Sequence, residues 1–453
     1  MSRRDRSQAP APAPVRDFVF PSVVRDALPN GLALLTVPHG ELPVVTFELV
    51  VHAGGEHDTL DTAGLAYLTA RALEAGTRTH SADRLAWEFE KLGAELEIDV
   101  LWDYAALTVT APADRAEAAI ALLAEVVLEP AFAPEEVERL KHEQLAELLQ
   151  REAEPRALAN DQAVRFIFAP TSPYQRPLYG LRDTVRSLTA AQVRGAHERL
   201  WRAGNAALLG VGAIDPGALR ELAARHFGAW SGSAAPADLR VAPGAASTQV
   251  HLVHRAGSVQ SEIRVGHVGV PRSTPRYYAL VIANSILGGA FTSRLNMNLR
   301  EKHGFTYGVR SGFAFRKAPG PFIIQTAVAT DVTARAVEEI WQETTGLLRD
   351  GPTHEELDSA RDYLSGTVPL ELQTTEQIAD RASEIFIFDL PTEYFALYRD
   401  ELRRVTAGQA LDAARAHVRP AEFVLTIVGD AHALEQDIGA LQLGPVHVHE
   451  DHD

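Results

Sequence analysis

The amino-acid sequence predicts an α+β fold of two homologous domains, each a largely antiparallel sheet packed with helices. Three observations lead to this prediction: the chain repeats itself once, strand and helix patterns both occur in each repeat, and a segment with neither pattern separates them. With 453 residues the chain is too long for one core, since domains usually hold about 100–200 residues. Length alone allows two to four units, and the repeat favours two.

The internal repeat appears when the chain is aligned with itself. Residues 188–191 match residues 405–408, and the apolar run 207–212 matches 424–429 at the same offset. This period is far longer than the 20–45 residues of a solenoid unit. We therefore expect two copies of one domain fold, not a repeat array.

Local patterns predict both strands and helices. Apolar and acidic residues alternate over residues 95–100, as in a half-buried strand, and residues 105–109 continue the pattern as a hairpin partner. Apolar residues at helical spacing over 137–149 predict an amphipathic helix. In the second copy, Thr353 and Glu356 form a capping-box signature at a helix start.

Composition places the domain boundaries. Residues 231–247 are rich in Ala, Pro, Gly and Ser and show no periodicity, which is typical of an exposed linker. We therefore place an N-terminal domain at residues 19–230 and a C-terminal domain at residues 248–440. We expect residues 1–18 to be a disordered Ala/Pro tail, and residues 441–453 to be a solvated His/acidic tail without a designed metal site.

Charge and cysteine content exclude several classes of function. The formal net charge of −17 and the pI near 5.5 argue against nucleic acid or an anionic membrane as the main partner. Without cysteine there is no disulfide, no thiolate nucleophile and no cysteine-bound zinc. No apolar stretch approaches the ~20 residues of a membrane span, and the N-terminus lacks the apolar core of a signal peptide. We therefore expect a cytoplasmic protein.

Residues 64–77 read GLAYLTARALEAGT. This segment resembles the H-x-x-E-H helix of the insulinase/pitrilysin (inverzincin) metallopeptidases, in which the same frame reads about G-L-A-H-x-x-E-H-x-x-x-x-G-T. Tyr67, Ala70 and Arg71 stand where that family has its two zinc-binding histidines and its catalytic glutamate. By itself the segment also fits an ordinary buried helix closed by a glycine.

Those three residues cannot perform zinc chemistry. A phenol with a pKa near ~10 is a poor ligand at neutral pH, a guanidinium repels the metal, and a methyl group accepts no proton. The resemblance implies a third ligand position at Glu147, which 75 residues separate from Arg71. One carboxylate does not hold catalytic zinc, which needs three protein ligands and an open position. We therefore expect no metal in this degenerate site.

The second copy carries another signature of the same family. Residues 300–307 fit the pattern R-E-x-x-G-x-x-Y, with Arg300 at its start and Tyr307 at its end. In insulinase-like peptidases this segment contributes an Arg and a Tyr to the scissile region. Both groups donate hydrogen bonds that suit a carbonyl becoming an oxyanion. The alternative is an Arg paired with Glu301 at the surface and a Tyr in the core.

The resemblance covers nearly the whole chain, from about residue 24 to about residue 431. It includes a third matching stretch at residues 172–180, which we interpret as structural. P-loop, thermolysin-like and α/β-hydrolase motifs are absent from the sequence.

The family resemblance implies a role for the chain. We expect a non-catalytic subunit of a heterodimeric, zinc-dependent peptidase that forms half of a peptide-binding chamber. Its partner would be a homologous subunit with H-x-x-E-H, which would hold the zinc, and this chain would bind no cofactor itself. Arg300 and Tyr307 would bind the peptide substrate and stabilise its transition state in trans.

The alternative function is that of an inactive structural or binding core subunit in a larger complex. Loss of the zinc ligands fits both functions. The intact segment from Arg300 to Tyr307 favours the peptidase subunit.

Overall fold

The structure, a computed structural model, describes residues 18–40, 42–237 and 239–450. The first sheet of this part has the strand order β1-β2-β6-β3-β5-β4. Its strands are β1 Val24–Ala27, β2 Ala33–Pro38, β3 Val44–Val51, β4 Glu95–Val100, β5 Ala105–Pro112 and β6 Ala206–Gly212. Only the β2–β6 pairing is parallel among its described strands.

The second sheet repeats this arrangement with the order β12-β7-β11-β8-β10-β9. Its strands are β7 Gln249–His254, β8 Gln260–Val268, β9 Val309–Phe313, β10 Pro321–Ala329, β11 Val424–Gly429 and β12 Val446–His449. From β2 to β4 in the first sheet and from β7 to β9 in the second, the five successive strands correspond one to one. The outermost strand differs, because β1 comes from the start of the chain and β12 from its end. The prediction of an α+β fold with two homologous, largely antiparallel halves is confirmed.

Helices cover both sheets. Those of the first half are α1 Leu65–Arg71, α2 Ala82–Lys91, α3 Ala116–Leu128, α4 Pro134–Ala153, α5 Pro155–Ile167, α6 Arg182–Ser187, α7 Ala190–Leu200 and α8 Pro216–Phe227. Those of the second half are α9 Tyr277–Asn284, α10 Thr333–Asp350, α11 His354–Thr367, α12 Thr375–Ile387, α13 Tyr394–Arg404, α14 Ala407–His417 and α15 Ala431–Ala440. Two π-helical segments, Ser285–Gly289 and Asn296–Lys302, precede β9.

The central strands are buried on both faces. In β3, Phe47 and Leu49 point into the main core of the first half, whereas Val50 points to the opposite face. That second face is covered by α12, whose Ile378 and Ile385 are fully buried against it. Each such side chain stabilises the fold by about 1.5–3 kcal/mol when it leaves water. The first sheet therefore depends on a helix from the second half.

The exchange of helices is reciprocal. Helix α5 belongs to the first half of the sequence but lies across β8 and β11 of the second sheet. Its Leu158 and Ala159 pack with Val253 and Val428. Because each half supplies the cover for the other half's sheet, the two halves form one packed body.

The C-terminal segment corrects one expectation. Val446–His449 forms β12, which pairs in parallel with the edge strand β7, so this stretch is not a solvated tail. An unpaired strand edge offers free N–H and C=O groups, and β12 satisfies them. Residues 1–17 and 451–453 of the predicted tails lie outside the described residues. In the part of the chain that the structure describes, no helix is long and apolar enough to cross a bilayer.

Candidate functional site

The degenerate zinc segment begins at a constrained glycine. Gly64 has φ 92°, in the left-handed region, and a Cβ there would lie 2.8 Å from Gln144 Nε2 and from the Tyr179 carbonyl oxygen. The Asp58 carboxylate accepts hydrogen bonds from the N–H groups of Gly64 and Ala66 at 2.9 and 3.0 Å. These contacts fix the start of α1 against α4 and the loop that precedes α6.

The structure brings Tyr67, Arg71 and Glu147 together. The Tyr67 hydroxyl donates to Glu147 Oε2 at 3.2 Å, and Arg71 Nη1 donates to the Tyr67 oxygen at 3.1 Å. Arg71 Nε also donates to Glu74 at 3.1 Å. Ala70, at the fourth predicted position, is fully buried in the core of the first half. A chain of protein hydrogen bonds therefore occupies the degenerate site.

These residues do not fit a zinc ion. Burial and the nearby Glu147 carboxylate raise the pKa of Tyr67, so its phenol stays protonated at neutral pH. Arg71 places a permanent positive charge beside the phenol. Of the four predicted positions, Glu147 alone carries a carboxylate that could ligate zinc. The hydrogen bonds can hold α1 against α4, but these residues cannot bind a metal ion that would activate water.

The first residue of the second signature lies on a π-helical segment. The Arg300 guanidinium stacks 4.2 Å from the centre of the Phe291 ring and lies 3.6 Å from the Glu301 carboxylate. Asn296 anchors the segment, since its amide donates to the Val309 carbonyl at 2.8 Å and accepts from the Val309 N–H at 3.1 Å. Asn296 carries no motif signal of its own, and sequence reasoning missed it.

Tyr307 lies in solvent, with 99% of the residue exposed. The loop below it is ordered by Thr306, whose hydroxyl donates to the Gly308 carbonyl at 2.9 Å and accepts from the Gly308 N–H at 3.1 Å. Thr326 of β10 donates to that same hydroxyl at 3.0 Å. The alternative of an Arg paired with Glu301 holds for Arg300, whereas a core position for Tyr307 is wrong. Within the described residues, no hydrogen bond or ring contact joins Arg300 to Tyr307.

A cavity of about 580 Å³ opens beside this tyrosine. We call it the Tyr307 pocket; its walls include Arg156 of α5, Arg264 of β8, and Arg310 of β9. The three arginines are far apart in sequence, and no spacing rule predicted that they meet. Their convergence depends on strand register and on the exchanged helix α5.

Comparison with models of protein families tests the family resemblance that the motifs indicate. Residues 37–179 match the family model "Insulinase (Peptidase family M16)", and residues 187–364 match "Peptidase M16 inactive domain". The chain belongs to the M16 peptidase family. The resemblance inferred from residues 64–77 and 300–307 is thereby confirmed.

Curated M16 relatives carry both active and inactive names. A Bacillus subtilis protein called "Uncharacterized zinc protease YmxG" is 21% identical over 355 residues, which cover 78% of this chain and 85% of the relative. The Helicobacter pylori protein called "Non-peptidase homolog YmxG" is 23% identical over 398 residues, covering 86% and 90%. An uncharacterized zinc protease of Mycobacterium leprae is 25% identical, covering 84% and 85%.

Solved structures match the whole M16 fold. The crystal structure of a peptidase M16 inactive domain from Pseudomonas fluorescens superposes with a TM-score of 0.85 and 27% identity, covering 90% of this chain and 98% of that chain. A Helicobacter pylori protease gives a TM-score of 0.84 at 15% identity, with 91% and 100% covered, which supports the fold alone.

With its zinc positions replaced, the chain is a non-catalytic M16-like protein.

Proposed function

We propose that this chain is the non-catalytic subunit of a heterodimeric, zinc-dependent peptidase and forms half of a peptide-binding chamber. A homologous partner with H-x-x-E-H would hold the zinc and the general base. The observation that carries the proposal is the exposure of Tyr307, which is 99% accessible on an ordered loop. A tyrosine usually buries most of its ring, so full exposure favours a role in contacting another molecule.

The proposed role of Tyr307 is electrostatic. Its phenol would donate a hydrogen bond to the peptide carbonyl as negative charge develops on the oxygen. Removing one such donor typically lowers turnover by about 10²–10³-fold. Arg300 would add a positive charge, and its stacking on Phe291 holds the guanidinium in a defined orientation.

The degenerate site supports a division of labour. Hydrogen bonds join Arg71 to Tyr67 and Tyr67 to Glu147, so this half would contribute a fixed wall to the chamber. Peptide hydrolysis would then require the partner's zinc. We expect the chain to be inactive alone and to be part of a metalloendopeptidase when paired.

A second candidate is a structural or binding subunit of a larger complex. One observation favours it: Arg300 already has partners within its own chain, in Phe291 and Glu301. In that case Tyr307 would be inherited without a catalytic role.

Tyr307→Phe distinguishes the two candidates, because it removes the hydroxyl and keeps the ring. We expect the variant to lower hydrolysis by the mixture of both subunits by about 10²-fold, with the partner's zinc content unchanged. Tyr363→Phe is the matched control, since Tyr363 is also surface-exposed but lies on α11. Unchanged turnover with Tyr307→Phe would favour the structural subunit.

A further inference from the structure

Equivalent positions of the two sheets carry opposite charges. Glu48 of β3 lies opposite Leu209 of β6, and Arg264 of β8 lies opposite Thr426 of β11. The sequence repeat that aligns residues 207–212 with 424–429 equates Leu209 with Thr426. Glu48 and Arg264 are therefore the same position in the two halves, and both are buried.

Two further pairs repeat the inversion. Glu97 of β4 lies two strands from Glu48, and Arg310 of β9 lies two strands from Arg264. The strand registers place Glu97 and Arg310 at the same position of their sheets. Helices α5 and α12 each hold 13 residues, and their second residues are Arg156 and Glu376. Three positions that hold glutamate on or over the first sheet therefore hold arginine on or over the second, and those three arginines line the Tyr307 pocket.

Arg264 forms the floor of the Tyr307 pocket. The residue is 1% exposed, and its guanidinium donates to Asn160 Oδ1 at 2.7 Å, Glu262 at 2.9 Å and the Arg156 carbonyl at 3.2 Å. Glu262 also lines the pocket, and its carboxylate balances the charge of Arg264, so the excess positive charge of the pocket comes from Arg156 and Arg310. Arg264 does not itself bind a ligand.

Arg156 and Arg310 are different, because both are exposed on the walls of the pocket. Among the described residues, no carboxylate lies within ion-pair distance of either guanidinium. Neighbouring cations without counter-ions repel one another and do not stabilise a fold. In a chain with a net charge of −17, this local excess of positive charge favours an anionic ligand.

We propose that the Tyr307 pocket binds a carboxylate group of a peptide through Arg156 and Arg310. A guanidinium matches a carboxylate by two parallel N–H···O bonds, which gives both affinity and orientation. Tyr307 lines this pocket. A peptide held by its carboxylate would therefore have a neighbouring peptide bond close to Tyr307. The identity of the ligand as a peptide rests on the proposed function. The carboxylate comes from an acidic side chain or from a free C-terminus.

Fluorescence anisotropy with three short labelled peptides tests the proposal on the full chain. The first is a neutral Ala/Ser/Gln peptide with an amidated C-terminus, the second has a free C-terminal carboxylate, and the third is amidated with a central Gln-Gln replaced by Glu-Glu. We expect the second or the third peptide to bind about tenfold more tightly than the first. Which of the two gains affinity identifies the source of the carboxylate.

Variants then assign the effect to the pocket. Arg156→Gln/Arg310→Gln should abolish the preference for carboxylate, so that all three peptides bind with equal affinity. Glu97→Gln/Glu376→Gln, at the equivalent acidic positions, is the matched control and should preserve the preference. Equal affinity of the parent chain for all three peptides, no binding of any peptide, or a preference that survives the double Arg variant would overturn the proposal. Failure of the chain to stimulate a zinc-bearing partner, with the carboxylate preference intact, would contradict the proposed function alone.

Discussion

The Tyr67 hydroxyl donates a hydrogen bond to Glu147 Oε2 at 3.2 Å, and this contact joins α1 to α4 where M16 peptidases place zinc ligands. Arg71 donates a second hydrogen bond, to the Tyr67 oxygen at 3.1 Å. The degenerate site therefore keeps the helices of the family's zinc site, and hydrogen bonds between side chains lie where zinc–ligand bonds would be. Because these helices are kept, substitutions in them can test both the missing zinc binding and the packing that remains.

Restoring the missing imidazoles should restore metal binding. Tyr67→His/Arg71→His places two neutral imidazoles at i and i+4 on α1, opposite Glu147, and supplies the three ligands that zinc requires. We expect isothermal titration calorimetry to detect zinc binding by this double variant and none at this site in the parent chain. Adding Glu147→Gln should remove the new binding. Zinc binding by the parent chain that depends on Glu147 would contradict our account of the site.

Gly64→Ala should destabilise the protein by about 1–3 kcal/mol, because it adds a side chain at φ 92° that also collides with neighbouring groups. Gly93→Ala is a matched control, since Gly93 has φ 65° but nothing within 4 Å of its added Cβ. The control should therefore show the conformational strain alone. Urea unfolding of both variants measures the difference, and equal destabilisation would show that the packing of Gly64 against Gln144 is unimportant.

Glu48 should make stability depend on pH. Burial, followed by the charges of Asp380 and Asp99, raises its pKa from 4.5 to about 8 in the folded protein. Its protonated form fits the fold, so the favourable contribution is present below pH 4.5 and is lost as pH rises to about 8.

Glu48→Gln removes this dependence because the amide does not titrate. The free energy of unfolding of the variant, relative to the parent, should therefore increase between pH 5 and pH 8 by on the order of a few kcal/mol. Urea unfolding at a series of pH values measures this difference. A constant difference across the range would show that Glu48 has the same pKa in the folded and unfolded states.

Arg300→Ala should lower kcat/KM for peptide hydrolysis by the mixed subunits by about tenfold or more, because it removes a charge proposed to act on the transition state. Arg335→Ala is the matched control, since Arg335 also stacks on an aromatic ring, Phe305, at 4.8 Å. The control should leave kcat/KM unchanged. Equal effects of the two substitutions would assign Arg300 to packing.

The sequence predicted the parts of this protein that depend on local pattern. The duplicated halves follow from repeated residues, and the degenerate site follows from the frame around Tyr67, since helix spacing fixes which side chains share a face. The environment of Tyr307 did not follow, because apolar and aromatic residues occur both in cores and on surfaces.

Features that depend on tertiary structure stayed hidden. Apolar stripes on α5 and α12 indicate a buried face but do not say which sheet they cover, so the exchange between halves was not predicted. The opposite charges of Glu48 and Arg264 became visible only through strand register. Strand β12 was missed because four residues with two histidines resemble a polar tail until the free edge of β7 is known.

Hydrolysis of a fluorogenic peptide library tests the central claim most directly. The assay compares this chain alone, a homologous H-x-x-E-H chain from the same organism alone, and their mixture, each with zinc. Our account predicts zinc-dependent hydrolysis that is confined to the mixture, or strongly raised in it. Hydrolysis by the H-x-x-E-H chain that is indifferent to this chain would contradict the proposed partnership, and zinc-dependent hydrolysis by this chain alone would contradict its classification as non-catalytic.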